Sequence, residues 1–185
     1  MRVEPIRSLK DIKNIKRLLE DNPRSAFLFT LGINTGLRAQ DILRLRVRDL
    51  LEKAVGDRVV VQESKTGKQN VIVINEEIAK SFQKYLDHFE PEEEHFIFRS
   101  RKGVNYPIST HRVTMLLKEW TSMINLRGNF GAHTLRKTFA FHQMKTFKVS
   151  LPVLAKRMNH SSPSITMRYL GIRDSDVEEI LLNNI

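Results

Sequence analysis

Cysteine is absent from this 185-residue chain. That excludes disulfide staples, thiolate metal sites and cysteine nucleophiles, and it suits a reducing compartment. Long apolar runs are missing as well: none approaches the roughly 20 residues needed to span a bilayer, and the opening MRVEPIRSLKDIK lacks the apolar core of a secretory leader. A cytoplasmic protein with no membrane partner is expected. Tyrosine is scarce, with three in the chain, so each can be weighed individually.

Acid is almost missing from one long stretch. From His95 to Arg173 there are fourteen Lys or Arg against Glu119 alone, a net +13, while the whole chain carries +10. The acids gather instead in Glu76 to Glu94 and in the tail after Asp174. An asymmetry of this kind points to a polyanionic partner, because Lys and Arg neutralise phosphates and release condensed counterions.

What is present fits one ordinary globular domain, with 41% hydrophobic residues to fill a core. Ser8 with Asp11 resembles a capping box ahead of Ile12, Ile15, Leu18 and Leu19 at helical spacing. Pro23 suits the first turn of a second helix carrying Phe27, Leu28, Leu31 and Ile33, which Gly36 breaks, and a short third helix follows around Ala39 to Leu45. Over 57–74 the period changes to that of a β-hairpin, RVVVQE and NVIVIN around SKTGKQ, with Gly67 in the turn and Lys65 near its tip. Further helices are expected at Glu76 to Phe89, from Ser109 to about Trp120, and at 133–148, 152–158 and 163–170. A strand is expected through Phe96 to Phe98. Ser175 and Glu178 offer a capping box for a tail helix within 174–185. The expected fold is mainly α with a small antiparallel β-sheet (α+β), as a single domain over 1–185.

Cleaving a phosphodiester without a metal requires cations on the non-bridging oxygens, a nucleophile and a proton donor for the leaving oxygen. Arg stays protonated and grips phosphate through its planar fork, so Arg38 and Arg136 are candidates for an electrostatic clamp. His133 precedes Arg136 by three residues, a spacing that puts both on one helical face. Tyr169 follows His160 by nine positions within NHSSPSITMRYLG, in the basic stretch, and is the candidate nucleophile. A phenol titrates near about 10 and needs a base or a positive potential to attack. Tyr85 and Tyr106 read as packing or loop residues, and His88, His95, His111 and His142 as surface or core-edge histidines. With no cysteine and no carboxylate beside HTLR, no metal site is expected. No cofactor is expected either.

TGLRAQDIL, SKTGK, HTLRKTFA, NHSS and MRYLG stand in the order and at about the spacings found in the catalytic domain of tyrosine recombinases, the phage-integrase-type site-specific recombinases. The chain resembles that family from roughly Ser8 to Gly171. The resemblance implies that Arg38 and Arg136 bind the scissile phosphate and stabilise its pentavalent transition state. Lys65 would protonate the departing 5′ oxygen; Lys68 lies near the same turn, and motif register favours Lys65. His133 would assist proton transfer from the nucleophile, His160 would donate a hydrogen bond to a non-bridging oxygen, and Tyr169 would attack to give a 3′-phosphotyrosyl enzyme and a free 5′-hydroxyl. Asp41, three residues after Arg38, is expected to hold its guanidinium or to orient His133; the family usually has Glu there. Asn159 stands where the family commonly has Gly.

The implied function is a DNA strand transferase, a site-specific recombinase acting on duplex DNA in a synaptic tetramer and existing as a monomer or weak oligomer alone. Type IB topoisomerase-like relaxation and a non-catalytic DNA-binding regulator are the alternatives. The N-terminal core-binding domain of many members is expected to be absent, which predicts weak DNA affinity, and the tail helix is expected to dock in cis or on a neighbouring protomer.

Overall fold

A computed structural model describes residues 3–172. The tail helix expected within 174–185 lies outside the described residues. Ser8 begins the first helix, α1 (Leu9–Leu18), its Oγ accepting from the amides of Lys10 and Asp11, and Ile12 and Ile15 turn inward. Asn22 caps α2 (Pro23–Thr35), which ends at Gly36 in the left-handed region at φ 63°. Gly36 is required twice over. A side chain there would adopt an unfavourable φ, and its Cβ would fall 2.3 Å from Cδ1 of Phe139.

The helix α2 is the axis of the domain, burying Phe27, Leu28, Phe29 and Leu31 against its neighbours. Two short helices follow, α3 (Ala39–Leu43) and α4 (Val47–Leu50), and then the antiparallel pair β1 (Arg58–Gln62) and β2 (Gln69–Val73), registered from Arg58 opposite Val73 to Gln62 opposite Gln69. Val59 and Val61 face inward while Arg58, Val60 and Gln62 face out. The helices α5 (Glu76–Phe89), α6 (Thr110–Met123) and α7 (Ala132–Lys145) pack around α2 and α3, and α8 (Leu151–Arg157) and α9 (Pro163–Leu170) pack on α7. No helix among the described residues is long and apolar enough to cross a membrane.

Two elements depart from expectation. The strand expected at Phe96 to Phe98 is not one: Phe96 makes a single bridge with Arg46, and Ile97 N donates to Leu45 O at 3.0 Å while Val47 N donates to His95 O at 3.0 Å. Ile97 and Phe98 are fully buried, so their apolar character serves the core and not a ladder. The four-residue α4 was not foreseen; Val47 and Leu50 anchor it in the core.

Most buried side chains form one cluster that runs from Ile6 to Leu135. A second, small cluster comprises Phe139, Ala140, Leu154 and Met158, with Met144, Val149, Tyr169 and Leu170 against it. α7 contributes to both, and the candidate residues meet at the seam.

Candidate active site

The site is assembled from the C-terminal end of α2, the hairpin, the first turns of α7 and the turn between α8 and α9. Gly36 lets the chain leave α2 so that Leu37 is buried and Arg38 stands extended as the residue before α3. The Arg38 guanidinium pairs with the Glu63 carboxylate, whose side chain is fully buried. Glu63 also accepts from Thr66 Oγ1 at 2.7 Å and Asn70 Nδ2 at 2.9 Å. Burial alone would raise this carboxyl, but Asn70, Thr66, Arg38 and Asn159 outweigh it and hold the group at about 2. It stays a carboxylate.

Asp41 takes neither of its expected partners in the described contacts. Its Oδ1 accepts from the Ser64 amide at 2.8 Å, tying α3 to the hairpin turn, and its buried Oδ2 has no hydrogen-bond partner. The expectation rested on Arg38 and Asp41 sharing a helical face, whereas Arg38 precedes the helix in extended geometry and turns toward Glu63. Glu63 was missed by sequence reasoning. Its register would have found it: Val59 and Val61 face inward, so the next alternate position puts a carboxylate on the buried face, where it needs a partner.

Arg136 is 2% exposed. Its Nη1 donates to Gly36 O at 2.6 Å and its Nη2 to Met158 O at 2.5 Å, so one guanidinium joins the end of α2 to the end of α8. His133, on the same helix, opens to solvent while Arg136 points inward. Partial burial and then the charges of Arg136, Arg38, Lys65 and Lys137 push the His133 ring below its ordinary value. Lys65 sits exposed in the hairpin turn, and its charge reaches His133.

Asn159 occupies the left-handed region at φ 50°, a conformation that Asn tolerates better than most side chains, so the turn expected to favour Gly forms intact. His160 follows, with its amide on Ala155 O at 3.0 Å and its Nδ1 2.9 Å from Thr166 Oγ1. Burial, then Arg136 and Arg38, against an opposing pull from Glu63, lower this ring to about 4. It is neutral at physiological pH.

Tyr169 packs its ring edge-on to His160, with centroids 5.4 Å apart, and under Lys137 Nζ, 5.0 Å from the ring centre. Its hydroxyl is buried with no well-formed hydrogen bond among the described residues, and the Arg136 guanidinium is close enough to interact with it. Burial pushes the phenol up to about 12, against the pull of Arg136 and Arg38. Lys137, 9% exposed, was not anticipated; it follows Arg136 directly. The other histidines and tyrosines lie apart from this cluster. His142 is buried with Nδ1 on Thr146 Oγ1 and Nε2 on Ile6 O, both at 3.0 Å, and Tyr85 packs against Phe82 in the core. Arg38, Lys65, His133, Arg136, His160 and Tyr169 thus converge on one cationic site around a buried phenol. A tetrahedral anion is the ligand such a site suits.

Residues 7–176 match the phage integrase family. The chain is 41% identical over 171 residues to the probable integrase/recombinase YoeC of Bacillus subtilis, a match spanning 92% of this chain and 90% of that protein. It is 30% identical over 183 residues to the tyrosine recombinase XerC of Caldanaerobacter subterraneus subsp. tengcongensis, where 94% of this chain spans 50% of the relative. Among solved structures, XerA recombinase superposes with a TM-score of 0.75 at 18% identity, over 97% of this chain and 65% of that one. XerH site-specific recombinase bound to palindromic difH substrate, in a post-cleavage complex, gives 0.76 at 17% identity over 97% and 53%. At these identities the structures speak to the fold, which is shared; the family match covers nearly the whole sequence, and the chain belongs to the phage integrase family of tyrosine recombinases.

Proposed function

We propose that this chain cleaves and rejoins duplex DNA through a covalent bond between Tyr169 and a 3′ phosphate. One observation carries the reading: the Tyr169 hydroxyl is buried within the field of Arg136 and Arg38, two arginines that hold protein groups with only part of their donors. Each guanidinium has five N–H donors, so Arg38 can keep Glu63 and Arg136 its two carbonyls while both still donate to a phosphate. The arginine charges that, after burial, lower His133 and His160 would also stabilise a pentavalent phosphorane and favour loss of the phenolic proton.

In the proposed step the Tyr169 oxygen attacks phosphorus, its proton passes toward neutral His133, and the bond to the 5′ oxygen breaks as Lys65 supplies that oxygen with a proton. The phosphodiester becomes a phosphotyrosyl ester, so a 5′-hydroxyl from a partner duplex can reverse the attack at a new junction with no ATP. Exchange of this kind calls for two duplexes and a synaptic tetramer of protomers. The reading gains support from relatives described as recombinases and from a solved neighbour bound to its DNA substrate.

The test is incubation with a nicked suicide duplex carrying a candidate site, without metal or ATP, followed by a denaturing gel and mass analysis of the Tyr169 peptide. Wild type is expected to yield a protein–DNA adduct and Tyr169→Phe none. An adduct that persists in Tyr169→Phe sinks the assignment.

A further inference from the structure

The tautomer of His160 decides what that ring offers a phosphate. A neutral imidazole carries one N–H, so one nitrogen donates and the other accepts. Phosphate oxygens accept only. If the nitrogen facing them lacked a proton, lone pair would meet lone pair. Protonating the whole ring is disfavoured here by burial and then by the charges of Arg136 and Arg38, which Glu63 opposes more weakly, while Tyr169 closes a further side with its ring. The ring serves only if its proton sits on Nε2.

Thr166 stands on the other side. It is fully buried on α9, with Oγ1 2.9 Å from His160 Nδ1. A hydroxyl both donates and accepts, so the contact alone admits either tautomer; what breaks the tie is the phosphate that the cationic site suits, because its oxygens only accept. We propose that Thr166 is a positioning residue that donates its hydroxyl proton to His160 Nδ1, fixing the Nε2–H tautomer and aiming that N–H at the phosphate seat. The proposal rests on the reading of the site given above. Second-sphere partners of histidine ligands act in the same way, fixing ring and tautomer through the nitrogen that does not touch the ligand.

The position of Thr166 adds a consequence. It precedes Tyr169 by three residues, so both side chains project from the same face of α9. The helix that delivers the nucleophile therefore also sets the hydrogen-bond donor. If α9 withdraws, Tyr169 leaves and His160 loses its fixed tautomer together.

Thr166→Val keeps the shape and removes the hydroxyl; Thr166→Ser keeps the hydroxyl. The measurement is the long-range 15N–1H spectrum of the full chain labelled at histidine nitrogen, in saturating inorganic phosphate, with His160 assigned by its loss in His160→Asn. Wild type and Thr166→Ser are expected to show an unprotonated Nδ1 and a protonated Nε2, and Thr166→Val a mixture. A wild-type ring protonated at Nδ1 overturns the proposal, as does a Thr166→Val spectrum identical to wild type. Should Thr166→Val fail to fold, the wild-type and Thr166→Ser tautomers decide. On the suicide duplex, Thr166→Val is expected to form adduct roughly 10-fold or more slowly at unchanged melting temperature and duplex affinity, with Thr166→Ser restoring the rate. An unchanged rate in Thr166→Val also overturns it. The spectra stand apart from chemistry: absence of adduct in wild type would defeat the strand-transfer reading, whereas a wrong tautomer with adduct present would defeat this inference alone.

Discussion

The large cluster and the small one are held by different forces. Around α2, stability comes from apolar area: Phe27, Phe29, Leu31, Leu37 and Ile42 are fully buried, and Phe27 stacks within 5.8 Å of Phe98 and 5.2 Å of Phe82. The α8–α9 segment buries few side chains and is fastened by polar ties. Arg136 reaches Met158 O, Arg157 reaches Thr35 O and Asn70 Oδ1, and Asn159 reaches Gln69 O. The candidate phosphate-binding arginines, Arg38 and Arg136, stand on the first region, while His160 and Tyr169 ride on the second. A core-packed seat thus faces the candidate nucleophile on a lightly packed mount. Apolar burial contributes about 25 cal/mol per Å² and each guanidinium hydrogen bond about 1.5–3 kcal/mol, so the mount, held by a handful of such ties, is less costly to move than the large core around α2.

The largest effect that tests this division is a cavity in each cluster. Phe27→Ala is expected to lower global stability by about 3–5 kcal/mol in denaturant unfolding. Met158→Ala removes a fully buried side chain too, at about 2 kcal/mol or more. Its loss is expected to surface differently: native-state hydrogen exchange should show the α8 and α9 amides opening well below the global unfolding energy, with α2 and α7 still protected. If those amides in Met158→Ala exchange only through global unfolding, the two regions are one cooperative unit and the comparison fails.

Acid should loosen the mount before the seat. A histidine whose folded value is depressed favours the unfolded state when protonated, so its contribution is present above its ordinary value near about 6.5 and is lost as pH falls. For His160 the window runs down to about 4. His133 shifts in the same direction. Glu63 adds a second loss lower down, since a carboxyl held at about 2 stabilises the fold above its ordinary range and ceases to do so as pH falls through about 2. Thermal melts between pH 7 and pH 4 should therefore show falling stability, and His160→Asn should flatten part of that slope. Equal slopes in wild type and His160→Asn would remove His160 from the account.

Much of this was legible in the sequence, and the failures have physical causes. Ser8 caps through its own hydroxyl, and Pro23 and Gly36 act through their own backbone, so a cap, a start and a stop read directly. The hairpin read because alternation survives as far as Val61 and Ile72. Phe96 to Phe98 misled because an apolar run is compatible with burial in either state. The six candidate residues were singled out through a motif carried by the whole set, and the fold brings them together. Asp41 was misassigned because i,i+3 spacing was applied across a helix boundary. Glu63, Thr166 and Lys137 act through contacts that only the tertiary fold creates, although the inward register of Glu63 and the helical spacing of Thr166 to Tyr169 were available as hints.

The smallest effect tests the weakest tie. Asn159 at φ 50° carries local strain that glycine would relieve, yet glycine also widens the unfolded ensemble and deletes the bond from Nδ2 to Gln69 O at 3.3 Å. It further removes one of the donors that hold Glu63 ionised. These terms oppose one another, and Asn159→Gly is expected to change stability by less than about 1 kcal/mol, on the destabilising side. Asn159→Ala keeps the strain and loses the same bonds, so it should lie about 1 kcal/mol below Asn159→Gly. The pair separates backbone from side chain in one melting experiment. If Asn159→Gly melts above wild type, the amide contributes nothing to fastening the turn on the hairpin, and the mount hangs on Arg136 and Arg157 alone. If both variants fall together by more than about 2 kcal/mol, the side chain is the dominant tie. The helix of Tyr169 is then anchored to the hairpin that carries Lys65, rather than only to the arginine seat.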